Sequence, residues 1–108
     1  MRSEMDIPDP IRRFVEATNS GDNEAFLDTF TADAFLGDWG ASFFGRDEIS
    51  NWNQSDNIGV QANLRIISVA ELGEIYRVRM AVTGNGFNGE GEMVFTLKGG
   101  RIVRLIIT

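Results

Sequence analysis

The feature that most constrains this fold is a change of hydrophobic period near Val60. Before it, apolar residues recur at helical spacing; after it, they alternate. Ile75–Thr83 is the clearest alternating run, with Tyr76, Val78, Met80 and Val82 on one face and Arg77, Arg79, Ala81 and Thr83 on the other. Val60–Leu72 is rich in β-branched residues, Glu90–Leu97 puts Met93, Phe95 and Leu97 on one face, and Arg101–Thr108 is a last strand. Glu71–Glu74 and Lys98–Gly100 read as tight turns between them, and Gly84–Gly89, with Asn-Gly twice, as the remaining turn. Four strands so connected form an antiparallel meander.

The first half predicts three short helices. Ile7, Ile11, Phe14, Val15 and Thr18 share a helical face. Asp6 and Asp9 are both plausible N-caps, Pro10 suits a first helical position, and Gly21 can end the helix in a left-handed cap. Asp22 then caps a second helix carrying Phe26, Leu27 and Phe30. Thr31–Asp33 reads as a break, Ala34–Trp39 as a strand, Gly40–Gly45 as a loop or short strand, and Arg46–Asn53 as a third helix with Ile49 and Trp52 inward. Asn53–Gly59 reads as polar linker. The result is one α+β domain over residues 1–108, a sheet with helices on one face. The last strand is apolar on both faces apart from Arg104. Three short helices cover only one face, so a second cover is expected, most simply another copy of the chain.

Composition removes whole classes of chemistry. The chain has no cysteine and no histidine, which excludes thiol nucleophiles, Ser-His-Asp catalysis and Cys or His metal sites. Proton transfer near neutral pH falls to a carboxylate, the single tyrosine, the single lysine or water. No metal or cofactor is expected. The net charge of −6 argues against nucleic acid as a partner. MRSEMDIPDP lacks a signal-peptide core and no apolar run approaches a membrane span, so a cytoplasmic location is the expectation.

The segment Phe30–Ile49 places one carboxylate, Asp38, among Phe35, Leu36, Trp39, Phe43 and Phe44. Such a group either finds a partner, here backbone or Arg46, or has its proton affinity raised. Phe14, Trp39, Trp52, Tyr76, Met80, Met93 and Phe95 are candidates to line a pocket or to fill the core. Glu90 and Glu92 share a strand face, as an acid pair or as cross-strand partners of Arg77 and Arg79. Gly84–Gly91 holds four glycines but lacks the strand–loop–helix context of a phosphate cradle.

The runs FVEATNSGDNEAFLDTFTADAFLGDWG, GRDEI and GEGEMVFTLKGGRIVRLII together resemble the NTF2-like superfamily, to which the SnoaL-like polyketide cyclases and ketosteroid isomerases belong. The resemblance implies a cone-shaped, cystatin-like roll: a curved antiparallel sheet with three N-terminal helices on its concave face, enclosing an apolar pocket for a small hydrophobic molecule. It also implies a homodimer. It puts Asp38 where ketosteroid isomerases carry their base. The oxyanion-hole positions of that mechanism fall on Phe14 and on Met93 or Val94, which have no donor to offer, and one lost donor costs about a hundredfold or more. Two readings follow: an isomerase- or cyclase-type enzyme with Asp38 as base, or a non-catalytic ligand-binding or dimerisation module.

Overall fold

The computed structural model describes residues 6–108; residues 1–5, the first half of the MRSEMDIPDP run, lie outside them. Helix α1 (Asp9–Ser20) opens with Pro8 in the N-cap position and no capping side chain. Asp9 therefore sits in the first turn, where it pairs with Arg12 at 2.7 Å, and neither Asp6 nor Asp9 is the cap residue. Ile11, Phe14, Ala17 and Thr18 form its buried stripe. The helix stops because Gly21 adopts φ 74°, a conformation that costs glycine nothing. The Asp22 carboxylate then accepts from the Ala25 N–H at 3.0 Å and caps α2 (Asn23–Asp28).

The sheet contains β1 (Phe30–Asp38), β2 (Ala41–Phe44), β3 (Asn63–Leu72), β4 (Ile75–Thr83), β5 (Gly89–Lys98) and β6 (Arg101–Ile107), in the order β2-β1-β6-β5-β4-β3. Helix α3 (Gly45–Asp56) and a short 3₁₀ turn (Ile58–Val60) join β2 to β3. The meander β3 to β6 is antiparallel as the alternation predicts, whereas β1 enters parallel to β6. The sheet is curved and unclosed, with the three helices on one face.

Two segments differ from their sequence reading. Thr31–Asp33 is not a break but an irregular stretch inside β1. Pairing moves from Phe30↔Ile102 to Phe35↔Arg104, so five steps of β1 oppose two of β6. The displaced Phe30 carbonyl is not orphaned: Arg46 donates to it from both Nε (3.2 Å) and a terminal nitrogen (2.6 Å). Asn53–Gly59 is not a solvated linker either. Asn53 and Asn57 are buried, and the Asn57 amide donates to Thr18 Oγ1 (3.1 Å) and Asn53 Oδ1 (2.9 Å) while Asn53 donates to Asn23 (2.7 Å). Composition marks these residues as polar, but mutual hydrogen bonds let polar side chains enter a core. Here they tie the end of α3 to α1 and α2.

The core is aromatic. Phe14 meets Phe26 at 5.2 Å and Phe95 at 5.3 Å between ring centroids, and Phe26 meets Phe30 at 5.3 Å. These rings fill the closed end between helices and sheet; the other end is open.

Candidate functional site

The open end is a cleft of about 350 Å³. It lies where α3 and β6 end, where β5 begins and where β1 turns into β2. Its floor is apolar: Leu64, Met80 and Met93, all buried. Asp38, the last residue of β1, stands in the wall, half-buried and paired in register with Ile107 and Ala41.

The partner of Asp38 is neither backbone nor Arg46. The indole Nε1–H of Trp52 donates to its Oδ2 at 2.9 Å, the one hydrogen bond of the Asp38 side chain among the described residues. Trp52 is 4% exposed. Its ring stacks on Phe26 (centroids 6.2 Å apart, 28° between planes), so the indole reaches from the phenylalanine core to the cleft wall. That anchorage holds one carboxylate oxygen in place and leaves the other available to a ligand.

The rim is aromatic and exposed. Trp39 and Gly40 form the two-residue turn between β1 and β2 with φ values of 50° and 91°, the pattern of a type I′ hairpin in which Asn-Gly is preferred. Tryptophan is costly there, and at 80% exposure little packing offsets the cost. Phe87, 60% exposed, enters from the glycine-rich β4–β5 loop. That loop is held by Asn85 N–H to the Val60 carbonyl (2.8 Å) and by Asn88 Nδ2 to the Gly84 carbonyl (2.8 Å). A Cβ at Gly86 would come within 3.0 Å of the Val60 side chain, so glycine lets the loop lie against the 3₁₀ turn.

Of the sequence candidates, Asp38, Trp39, Trp52, Met80 and Met93 meet at this cleft. Phe14 and Phe95 do not line it; fully buried, they belong to the ring cluster that closes the other end. Tyr76 lies at the far end of β4, opposite Glu71, to which its hydroxyl donates at 3.4 Å. Desolvation first, then the charge and hydrogen bond of Glu71, raise that phenol above its ordinary value. Glu90 and Glu92 adjoin the cleft, but their carboxylates are held by Arg79 (3.4 Å) and Arg77 (3.0 Å), and alternation turns them away from Met93. Phe87 and Asp56 were missed by sequence reasoning, which took one segment as turn and the other as linker. A lone phenylalanine inside a glycine-rich loop was the available signal.

The fold and site define a class: an α+β cone with an apolar, open-ended cavity and a carboxylate in its wall. The chain belongs to the SnoaL-like domain family, whose match spans residues 11–105, within the NTF2-like superfamily. No curated protein matches the sequence. Among solved structures, a Sinorhizobium meliloti protein assigned as a polyketide cyclase is 29% identical, with a TM-score of 0.87 over 94% of this chain and 95% of its own. A Kribbella flavida protein assigned as a ketosteroid isomerase is 16% identical, with a TM-score of 0.78 over 91% of this chain and 73% of its own. A Catenulispora acidiphila protein of ketosteroid isomerase-like fold, solved in complex with trimethylamine, is 17% identical, with a TM-score of 0.81 over 95% of this chain and 86% of its own. No helix of the described residues is long and apolar enough to cross a membrane.

Proposed function

We propose that this protein binds a small hydrophobic molecule in the open cleft and moves a proton on it, as an isomerase or cyclase does, with Asp38 as the general base. The observation that carries the reading is the Asp38 carboxylate, fixed in the cleft wall by Trp52 at 2.9 Å beside an apolar floor of Leu64, Met80 and Met93. A base so placed accepts a C–H proton through its free oxygen and returns it at a second carbon. The test is the isomerisation of a small β,γ-unsaturated ketone such as 3-cyclohexenone, followed by absorbance of the conjugated product. Asp38→Asn lowers the rate by about a hundredfold or more; an unchanged rate removes the role.

One observation favours a second reading, a ligand-binding module without turnover. The two buried side-chain N–H donors in the lining are already used, Trp52 on Asp38 and Asn57 on Thr18 and Asn53, and the remaining indole N–H, on Trp39, is exposed at the rim. Binding without turnover by the unaltered protein supports this reading.

The protein is further proposed to act in the cytoplasm as a homodimer through the outer sheet face. Phe35, Phe44 and Ile106 make that face apolar, and Phe44 is 63% exposed. Gly37 contributes by having no side chain, since a Cβ there would meet both Ile106 and Phe35 at 3.2 Å.

A further inference from the structure

The charge of the cleft narrows the class of its ligand. Asp38, Asp56, Glu90 and Glu92 all line it, and no lysine or arginine does. Asp56 has no hydrogen-bond or ion-pair partner among the described residues. The nearby basic residues Arg77 and Arg79 are engaged by Glu92 and Glu90. An anion entering this space meets two carboxylates without an arginine partner, Asp38 and Asp56, and no free counter-charge. A neutral carbonyl finds the buried N–H donors of Trp52 and Asn57 spent.

The aromatic groups point the same way. Trp39 and Phe87 stand at the rim and Trp52 in the wall. The face of an aromatic ring is negative and attracts cations, tryptophan most strongly. Trp39 also occupies a left-handed backbone position that tryptophan fills at a cost, and so exposed a side chain has little packing to justify it. An observed strain of this kind at a cavity mouth is the mark of a residue retained for contact with a ligand.

We infer that the cleft takes an organic cation, an apolar body carrying a protonated or quaternary amine, with Asp38 and Asp56 as counter-charges and the rings of Trp39, Trp52 and Phe87 as its walls. The inference rests on the cleft being a ligand site and assigns the charge of what enters. The apolar body lies on Leu64, Met80 and Met93, and the ammonium group sits nearer the rim. Such a ligand is distinguished from its neutral isostere by charge alone, because both fill the same volume.

The test compares phenyltrimethylammonium with tert-butylbenzene, its neutral isostere, and with benzoate. The readout is tryptophan fluorescence, since both tryptophans of the chain face the cleft, with amide chemical shifts as a second measure. Phenyltrimethylammonium binds about tenfold or more tightly than tert-butylbenzene, a difference that charge pairing and ring contacts can supply. Asp38→Asn and Asp56→Asn each weaken the cation several-fold and leave tert-butylbenzene unchanged. Raising salt to about 0.5 M weakens only the cation. Equal binding of the isosteres, or preference for benzoate, overturns the charge assignment while the cleft remains a ligand site. Failure of all three to bind overturns both. Asp56 is exposed at a helix end, so its variant reports charge without disturbing the core.

Discussion

Replacing Trp52 by phenylalanine isolates the contact on which the site depends. The substitution keeps an aromatic ring against Phe26 and removes the N–H that holds Asp38. A hydrogen bond to a charged acceptor contributes about 1.5–3 kcal/mol. Asp38 is half-buried, so water replaces part of what is lost, and the lower end, about 1.5 kcal/mol, applies. The indole is larger than the phenyl ring by roughly 35 Å³, and at about 24 cal/mol per Å³ the residual void adds about 0.8 kcal/mol. The sum is a destabilisation of about 2 kcal/mol, read from urea unfolding with an unchanged slope. Part of that loss belongs to the void, so the sharper quantity is the coupling in a cycle of Trp52→Phe, Asp38→Ala and the double variant. Once either partner is gone, the other has nothing further to lose, and the coupling is about 1–1.5 kcal/mol. A coupling within about 0.3 kcal/mol of zero, the level of independent sites, refutes the claim that Trp52 holds Asp38.

Two further outcomes are expected. Trp39→Asn places the preferred residue at the first turn position; it relieves about 1 kcal/mol of left-handed strain, offset in part by the little surface Trp39 buries, and so raises stability by roughly 0.5 kcal/mol while weakening phenyltrimethylammonium binding. Loss of stability, or unchanged affinity, contradicts the account of that residue. At micromolar concentration sedimentation gives a dimer mass, and Ile106→Glu on the outer face gives a monomer that still unfolds cooperatively. A monomeric mass for the unaltered chain rejects the dimer.

How much of this was legible in the sequence depends on the range of the interaction involved. The Gly21 stop, the Asp22 cap and the hairpins of β3 to β6 were readable because each is decided within a few neighbouring residues. The irregular stretch of β1 was not. Arg46 fixes it from sixteen positions away through the Phe30 carbonyl, and Thr31–Asp33 alone looks like a break. The last turn of α3 was lost for a related reason: Asn53 and Asn57 are polar by identity and buried by partnership, and the partners, Thr18 and Asn23, belong to other helices. At the site, the sequence pointed to Asp38, and two partners were conceivable, backbone or Arg46. The true partner, Trp52, had been placed inward on α3, but nothing local shows that its ring edge meets the end of β1. Phe14 and Phe95 carried the periodicity of pocket and core alike, and only the closing of the ring cluster assigns them to the core.

The parallel entry of β1 beside β6 has a consequence in time as well as in space. The meander from β3 to β6 joins neighbours through short turns, and its loops close at little entropic cost. Asp38 reaches its place against Ile107 only by bringing together segments about seventy residues apart, a non-local closure of the kind that slows folding. The hairpins can therefore stand before the cleft exists. Asp38, Trp39 and Trp52 take their places in the cleft when the first half of the chain docks on its last strand, so the appearance of a protected Trp52 indole would mark the end of folding and the birth of the site in one event.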